Sequence, residues 1–414
     1  MPVDLSTIPQ RRTVRLKPPS KVVWSIAFAI WMTAWVLFTL WLWPPHVSTH
    51  SWRFWMILCG LPLILFGMVY AVPWIVYQVE HNSVASHNIA REYVLQSTIR
   101  YGQQPLHILA YAYQTALGVT SVADKIVAGR KLLSVRANEG GRGESVRCTR
   151  LPVVAKIDET EVGEQSNTPS LSKRYTAAVD GLLVSVGSVA SRIPRCVPLS
   201  LVVCVPDDLE VLALAQFAER RARQLSIVIS DVQTLLHESG AMMLDAWLDE
   251  SPNRNLDRCA LVIAAQLYDT PPQNSAEIAV ALLIGGPNPS MLGDILPIAR
   301  LHRPVAGPAD AVAKALQTAV GWADVTVGQL ERVWLSGLAH EIRPLMEGAP
   351  GASLIGGSKN PAMSVADVDV ALGDAGVAAP WLAIALGAER LVETGCAQIW
   401  ATGTVGETKI GTVA

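Results

Sequence analysis

Two long apolar stretches stand near the beginning of the chain. Residues 22–43 and 54–79 contain no charged side chain. At 1.5 Å of rise per residue, about 20 helical residues cross a hydrocarbon core, so each stretch is long enough to span a bilayer. Pro62 and Pro73 interrupt the second, which spanning helices tolerate. Past residue 80 the pattern changes. Residues 80–135 mix polar and apolar positions, and residues 88–100 are expected to continue the second span as a surface helix. NEGGRGE (138–144) reads as a flexible turn, and DETEVGEQSNTPSLS (158–172) as an exposed polar loop.

From residue 199 onward, apolar runs of strand length alternate with helical periodicity. LSLVVCV (199–205) is a strand, and Asp207 and Asp208 cap a helix over 209–224 that ends in basic residues. LSIVIS (225–230) is a second strand, after which Asp231 caps a helix running to about residue 248. CALVIAAQL (259–267) and residues 278–285 are strands joined by the turn DTPPQNS. The order then returns: a helix over 309–320, strands over 331–336 and 368–372, a helix over 375–394, and a terminal pair, 397–405 and 409–413, turning at Gly406 and Glu407. Alternating strands and helices predict an α/β fold with a parallel sheet, closed each time by an antiparallel strand. Because the order occurs at 199–286 and again at 331–413, the α/β region is expected to be duplicated.

Composition sharpens the division. Eight of the 13 Trp residues lie before residue 80, and charged residues make up only 16% of the 414-residue chain. Trp residues near the ends of the apolar stretches suit the interfacial belt of a membrane. Formal net charge is −2, which excludes a global pull toward nucleic acid or anionic lipid. Arg11, Arg12, Arg15, Lys17 and Lys21 precede the first span, whereas the loop between the spans offers only Arg53. The positive-inside rule then places the N-terminus, and after two crossings residues 80–414, on the cytoplasmic side of a bacterial inner membrane. The six cysteines (Cys59, Cys148, Cys196, Cys204, Cys259 and Cys396) show no CxxC or CxxH spacing. They read as scattered thiols in a reducing compartment.

Three segments resemble the thiolase and ketosynthase fold. GDAGVAAPWLAIALGAERL (373–391) is similar to that family's glycine-rich turn and buried helix, IWATGTVGETKIGTVA (399–414) to its final hairpin, and SAEIAVALLIGG (275–286) to the strand closing its first half. The resemblance implies two halves with helices between two sheets. With the apolar and charge pattern, the chain divides into a basic tail (1–21), a transmembrane hairpin (22–79), a connecting region (80–175, with the flexible loop 138–172) and the region that the resemblance makes thiolase-like (176–414, halves about 176–290 and 291–414). The resemblance also implies a nucleophilic cysteine at the start of the central helix of the first half, where the helix dipole lowers a thiol pKa. The matching helix, expected over 231–248, has none. Where ketosynthases carry a histidine in the glycine-rich turn, this chain has Asp374. The layout of anchor plus α/β region also resembles adaptors that load lipase effectors onto the type VI secretion machine.

Other motifs carry little chemistry. LIGGPNPSMLGD (283–294) and LIGGSKNP (354–361, with Lys359) lack the glycine and lysine spacing of phosphate-binding loops. GLLVSVGSV (181–189) has no GxSxG. Asp367 and Asp369 flank a predicted strand on one face without a third metal ligand nearby. Arg220, Arg221 and Arg223 read as a basic helix end with no interleaved aromatics. No catalytic, cofactor-binding or metal residue is therefore assigned. The leading expectation is a membrane-anchored, non-enzymatic adaptor whose partners are a protein such as a secreted lipase, the bilayer through residues 22–79, and a second copy of the chain. The alternative is an acyl-transfer enzyme with displaced residues, Cys196 or Cys204 as nucleophile aided by His302 or His340.

Overall fold

The computed structural model describes residues 3, 7–44, 48–137, 145–152, 171–206, 211–235, 240–249, 258–346, 363–404 and 406–414. These form two compact units, one over Val3–Ile99 and one over Arg100–Ala414.

The first unit is a helical hairpin. Helix α1 covers Lys21–Leu42, and α2 covers Trp52–Gly102 with one wide π turn at Met56–Gly60. Both are long and apolar enough to cross a membrane, and few of their residues are buried. The expected continuation of the second span past residue 88 is part of α2. Tryptophans pin the hairpin: Trp31 Nε1 donates to the Pro62 carbonyl at 3.1 Å, and Trp35 Nε1 donates to the Ile57 carbonyl at 2.9 Å. Such bonds matter in hydrocarbon, where an unpaired N–H has no water to turn to. Trp24 meets Phe66 and Tyr70 edge-on at 5.8 and 5.1 Å.

The second unit is built on a large mixed sheet. Its strands in chain order are β1 (Leu106–Gln114), β4 (Leu199–Cys204), β5 (Asp231–Thr234), β6 (Cys259–Gln266), β8 (Ile278–Gly285), β9 (Ala299–Leu301), β10 (Val305–Pro308), β11 (Leu330–Leu338), β12 (Ser364–Asp367), β13 (Ala397–Thr404) and β14 (Glu407–Val413). The short strands β2 (Ser134–Ala137), β3 (Ser145–Thr149) and β7 (Ser275–Ala276) form a separate small sheet. The helices are α3 (Val122–Val127), α4 (Leu171–Ala190), α5 (Val211–Gln224), α6 (Met243–Asp249), α7 (Val312–Ala323), α8 (Val368–Ala371) and α9 (Ala379–Thr394).

Strand order shows a duplication. Along the sheet it runs β12-β11-β13-β14-β9-β1-β8-β6-β4-β5. In the first half β4 lies parallel to β5 and β6, and β8 is antiparallel to β6. In the second half β11 lies parallel to β12 and β13, and β14 is antiparallel to β13. Each half gains a further antiparallel strand, β1 on β8 and β10 on β14, and β1 pairs with β9 at the seam. Thus β1, which falls in the stretch read from sequence as a connecting region, is a central strand of the sheet.

The apolar runs explain the layers. Every residue of β4, β6 and β8 is buried, as expected of strands covered on both faces. Alternate side chains enter two cores. Val202, Val262, Leu282 and Ile284 meet α9, whereas Leu201, Ile263 and Leu283 meet α4 and α5. Helix α9 is buried along its whole first part, from Ala379 to Glu389, and its small residues let strands of both halves approach it. An added Cβ at Gly387 would sit 3.5 Å from Gln398 and 3.6 Å from Val413.

Three predicted elements are corrected. Residues 225–230 are not a strand; Ser226 adopts φ of +62°, and pairing on β4 begins at Ser230, whose N–H donates to the Leu199 carbonyl. Asp231 consequently opens β5 instead of capping a long helix, and the helix that follows is only α6. Residues 368–371 are a helical turn, because the Asp367 side chain accepts the Val370 N–H at 3.0 Å and caps it. The strand there is β12. The expected caps Asp207 and Asp208, the turn 138–144, the segment 354–361 and most of the loop 158–172 lie outside the described residues.

Candidate functional site

The parallel strands β11 and β13 end at the same edge of the sheet, and α9 begins beside them. There a cavity of about 660 Å³ opens. Gly240 and Ala241, in the turn leading to α6, bring the first half to it; Gly337, Asp374, Thr402 and Lys409 bring the second. Thus the starts of both inner helices converge on one space. Tight backbone makes this possible. Gly337 has φ of +60°, and a Cβ there would lie 2.6 Å from that of Ala379. Gly376 has φ of +50°, and its Cβ would lie 2.5 Å from Gln266 Oε1. The turn at 373–376 is clipped to the first half by backbone bonds, Asp374 N–H to the Asn274 carbonyl at 2.7 Å and Ala276 N–H to the Asp374 carbonyl at 2.8 Å.

The walls carry charge of both signs. Asp369 is buried, and both of its oxygens accept the Gly337 N–H at 3.0 Å. Arg343 bridges Asp369 and Asp367, and its Nε donates to the Leu338 carbonyl at 3.3 Å. Burial pushes the Asp369 carboxyl up to about 7; the Gly337 N–H and Arg343 pull it down, and the Asp374 and Asp367 carboxylates add to the rise. At the mouth, Lys409 Nζ lies 3.8 Å from Glu407. The chemistry available is ionic recognition, with fixed acceptors and donors in the walls.

The residues singled out in the sequence are scattered. Asp374 lines the cavity, its Oδ1 accepting the Gly376 N–H at 2.9 Å. Asp367 and Asp369 do come together, around Arg343. His340 is exposed just past β11 and does not line the cavity, although Ala339 and Arg343 do. Cys204 is buried at the end of β4, its Sγ 4.0 Å from the carbonyl of Val377, a wall residue. Cys196 is exposed in the loop before β4. His302 is buried beyond β9, held down to about 4 by burial, with its Nδ1 unpartnered among the described residues. Sequence reasoning missed Arg343, Thr402 and Lys409. The run HEIRP after β11 offered Arg343 as a lone basic residue, and only the fold supplies its two carboxylates.

The sequence matches no protein-family model and no curated protein. The backbone matches solved ketosynthases. The oxazolomycin ketosynthase domain of Streptomyces albus superposes with a TM-score of 0.52, covering 75% of this chain and 95% of that one at 12% identity. The ketosynthase from module 6 of the bacillaene synthase of Bacillus subtilis gives 0.54 over 75% of this chain and 70% of that one, at 10% identity. The ishigamide ketosynthase/chain length factor gives 0.50 over 75% and 99%, at 13% identity.

The fold is thiolase-like.

At such identity the likeness concerns the backbone, and activity has to be argued from the site. The resemblance read from the sequence implies a nucleophile at the start of the first half's inner helix. Residues 236–239 lie outside the described residues, and the sequence from 231 to 249 contains no cysteine.

Proposed function

We propose that the protein is a membrane-tethered adaptor whose thiolase-like unit binds a protein partner on the cytoplasmic face and performs no acyl transfer. One observation carries the reading: the buried carboxylate of the cavity at the meeting of the two inner helices, Asp369, is engaged with Arg343 and the Gly337 backbone. An anchor suits such a role, because tethering raises the local concentration of a captured partner near membrane machinery. Following the resemblance of layout, the partner is a secreted lipase handed to a type VI secretion machine. Affinity purification of the full-length, C-terminally tagged protein from solubilised membranes, followed by mass spectrometry, tests this. Recovery of a lipase with components of the secretion spike supports it; recovery of acyl carrier protein and lipid-synthesis enzymes overturns it. A reporter fused at Ala414 that is active only in the periplasm overturns the orientation.

A second reading, acyl transfer through Cys204, draws on its contact with the wall residue Val377. Fast alkylation of Cys204 in the native protein at neutral pH supports that reading, and slow alkylation removes it.

A further inference from the structure

The membrane unit holds a cleft that the thiolase-like unit does not explain. Residues 9–16 run along one face of α2 as a strap held by its backbone. Arg91 Nε donates to the Pro9 carbonyl at 2.8 Å. Arg12 and Asn88 exchange two bonds, Arg12 N–H to Asn88 Oδ1 at 3.0 Å and Asn88 Nδ2 to the Arg12 carbonyl at 2.9 Å. Arg15 N–H donates to Glu80 Oε1 at 2.9 Å. The strap therefore runs antiparallel to α2, from Arg91 up to Glu80, toward the uncharged stretch of the helix. Lengths agree: from Pro9 to Arg15, at up to about 3.3 Å per residue, the chain reaches about 20 Å, and α2 from Glu80 to Arg91 rises about 16 Å.

Between strap and helix lies a cleft of about 1110 Å³. Arg11, Arg12 and Arg15 line one side; Ile75, Val76 and Val79 line the other. All three arginines are exposed, and the only carboxylate in the lining is Glu80 among the described residues. Cations thus face an apolar wall that continues directly into a candidate membrane span, and α1 starts at Lys21, shortly after the strap.

We propose that this cleft binds an anionic phospholipid from the leaflet on the N-terminal side. Its phosphate meets the three guanidinium groups, and its acyl chains lie along Ile75, Val76 and Val79. Charge and polarity together select this occupant. A soluble anion would satisfy the arginines and leave the apolar wall wet, while a zwitterionic lipid would leave the net positive charge uncompensated. The inference rests on the membrane reading of α1 and α2 and is independent of the partner captured by the other unit.

The test uses full-length protein in dodecyl maltoside, stripped of lipid and then given phosphatidylglycerol or phosphatidylcholine, with retained lipid counted by native mass spectrometry. Wild type is expected to hold phosphatidylglycerol about tenfold better or more. The variant Arg11→Ala/Arg12→Ala/Arg15→Ala is expected to lose the preference. So is Asn88→Ala, which keeps every charge and removes two of the four bonds that hold the strap. Lys17→Ala/Lys21→Ala, outside the cleft lining, is expected to keep it. Equal retention of both lipids by wild type overturns the proposal. So does equal loss in the arginine and lysine variants, unchanged preference in Asn88→Ala, or displacement of phosphatidylglycerol by inorganic phosphate. Alkaline carbonate extraction separates the premises: release of the protein from membranes removes the membrane reading itself, whereas lipid indifference in carbonate-resistant protein removes only the cleft.

Discussion

Asp369 is held between opposite influences, and its pH dependence can be worked out. Burial raises its carboxyl to about 7, against roughly 3.9 in an unfolded chain. An acid raised on folding keeps its proton in the folded state where the unfolded chain has released it. Its contribution is full below about pH 4 and is lost as pH rises through about 7. Asp369→Asn cannot ionise, so its melting temperature relative to wild type is expected to rise between pH 4.5 and pH 8, as scanning calorimetry reads. A relative fall would mean that Arg343 and the Gly337 N–H dominate the site. His302 works in the other direction. Burial lowers it to about 4, so the folded state stays neutral where the unfolded chain, titrating near 6.5, gains a proton. Its contribution is present above about pH 6.5 and is lost as pH falls toward 4, on the order of 3 kcal/mol at full loss. Urea titrations at pH 7 and pH 5 are expected to show a smaller loss for His302→Leu than for wild type. Neither residue's environment is written locally: Asp369 lies in an alternating VDVAL, and His302 in a polar RLHRP.

Elements were legible where the chain is uniformly apolar and bounded by turns. Strands β4, β6, β8, β11, β13 and β14 fall within a few residues of the predicted ranges. Strand β1 was missed because LHILAYAYQ lies among mixed positions and takes its place only by pairing with β8 and β9, far along the chain. Helix α8 was misread as a strand because alternation outweighed the cap offered by Asp367. At this scale two substitutions probe how the elements are fastened. Gly337→Ala meets both a left-handed backbone, costing about 1–2 kcal/mol, and contact with Ala379, costing about 1–3 kcal/mol. A drop of that summed size in unfolding free energy is expected by denaturant titration. Glu389 on α9 accepts the Tyr113 hydroxyl and the N–H groups of Ser121 and Ala123 at 2.8 Å, fastening the start of α3 to the inner helix. Glu389→Ala strands those buried donors. Destabilisation of about 3 kcal/mol or more is expected, with amide exchange accelerated first in α3.

At the scale of the whole molecule, the duplicated order of strands was readable because element order survives where residue identity does not. The halves share topology, β5-β4-β6-β8 matching β12-β11-β13-β14. The cavity was only partly readable. Asp374 was found through the glycine-rich turn, but Arg343 and Lys409 belong to it through the convergence of elements distant in sequence. Arg303 shows the same dependence, pairing with Asp245 at 2.7 Å and Asp249 at 2.6 Å and lying 5.2 Å from the Tyr101 ring. The division at Arg100 gives a prediction of its own. A chain of residues 100–414 is expected to express as a folded protein free of the membrane fraction and to keep its partner in pull-down. Loss of the partner on removal of residues 1–99 would assign the contact to the helical hairpin.

The position of α9 has a consequence for synthesis. β1 leaves the ribosome early, yet its Tyr113 waits for Glu389, and the inward faces of β6 and β8 wait for the same late helix. Until the last few dozen residues emerge, the nascent chain carries apolar strands with one side uncovered. Contacts of such long sequence separation form slowly and leave intermediates prone to aggregate. Translation that stalls before residue 379 should therefore leave a product that chaperones hold and proteases remove, whereas a chain made through the terminal hairpin should fold.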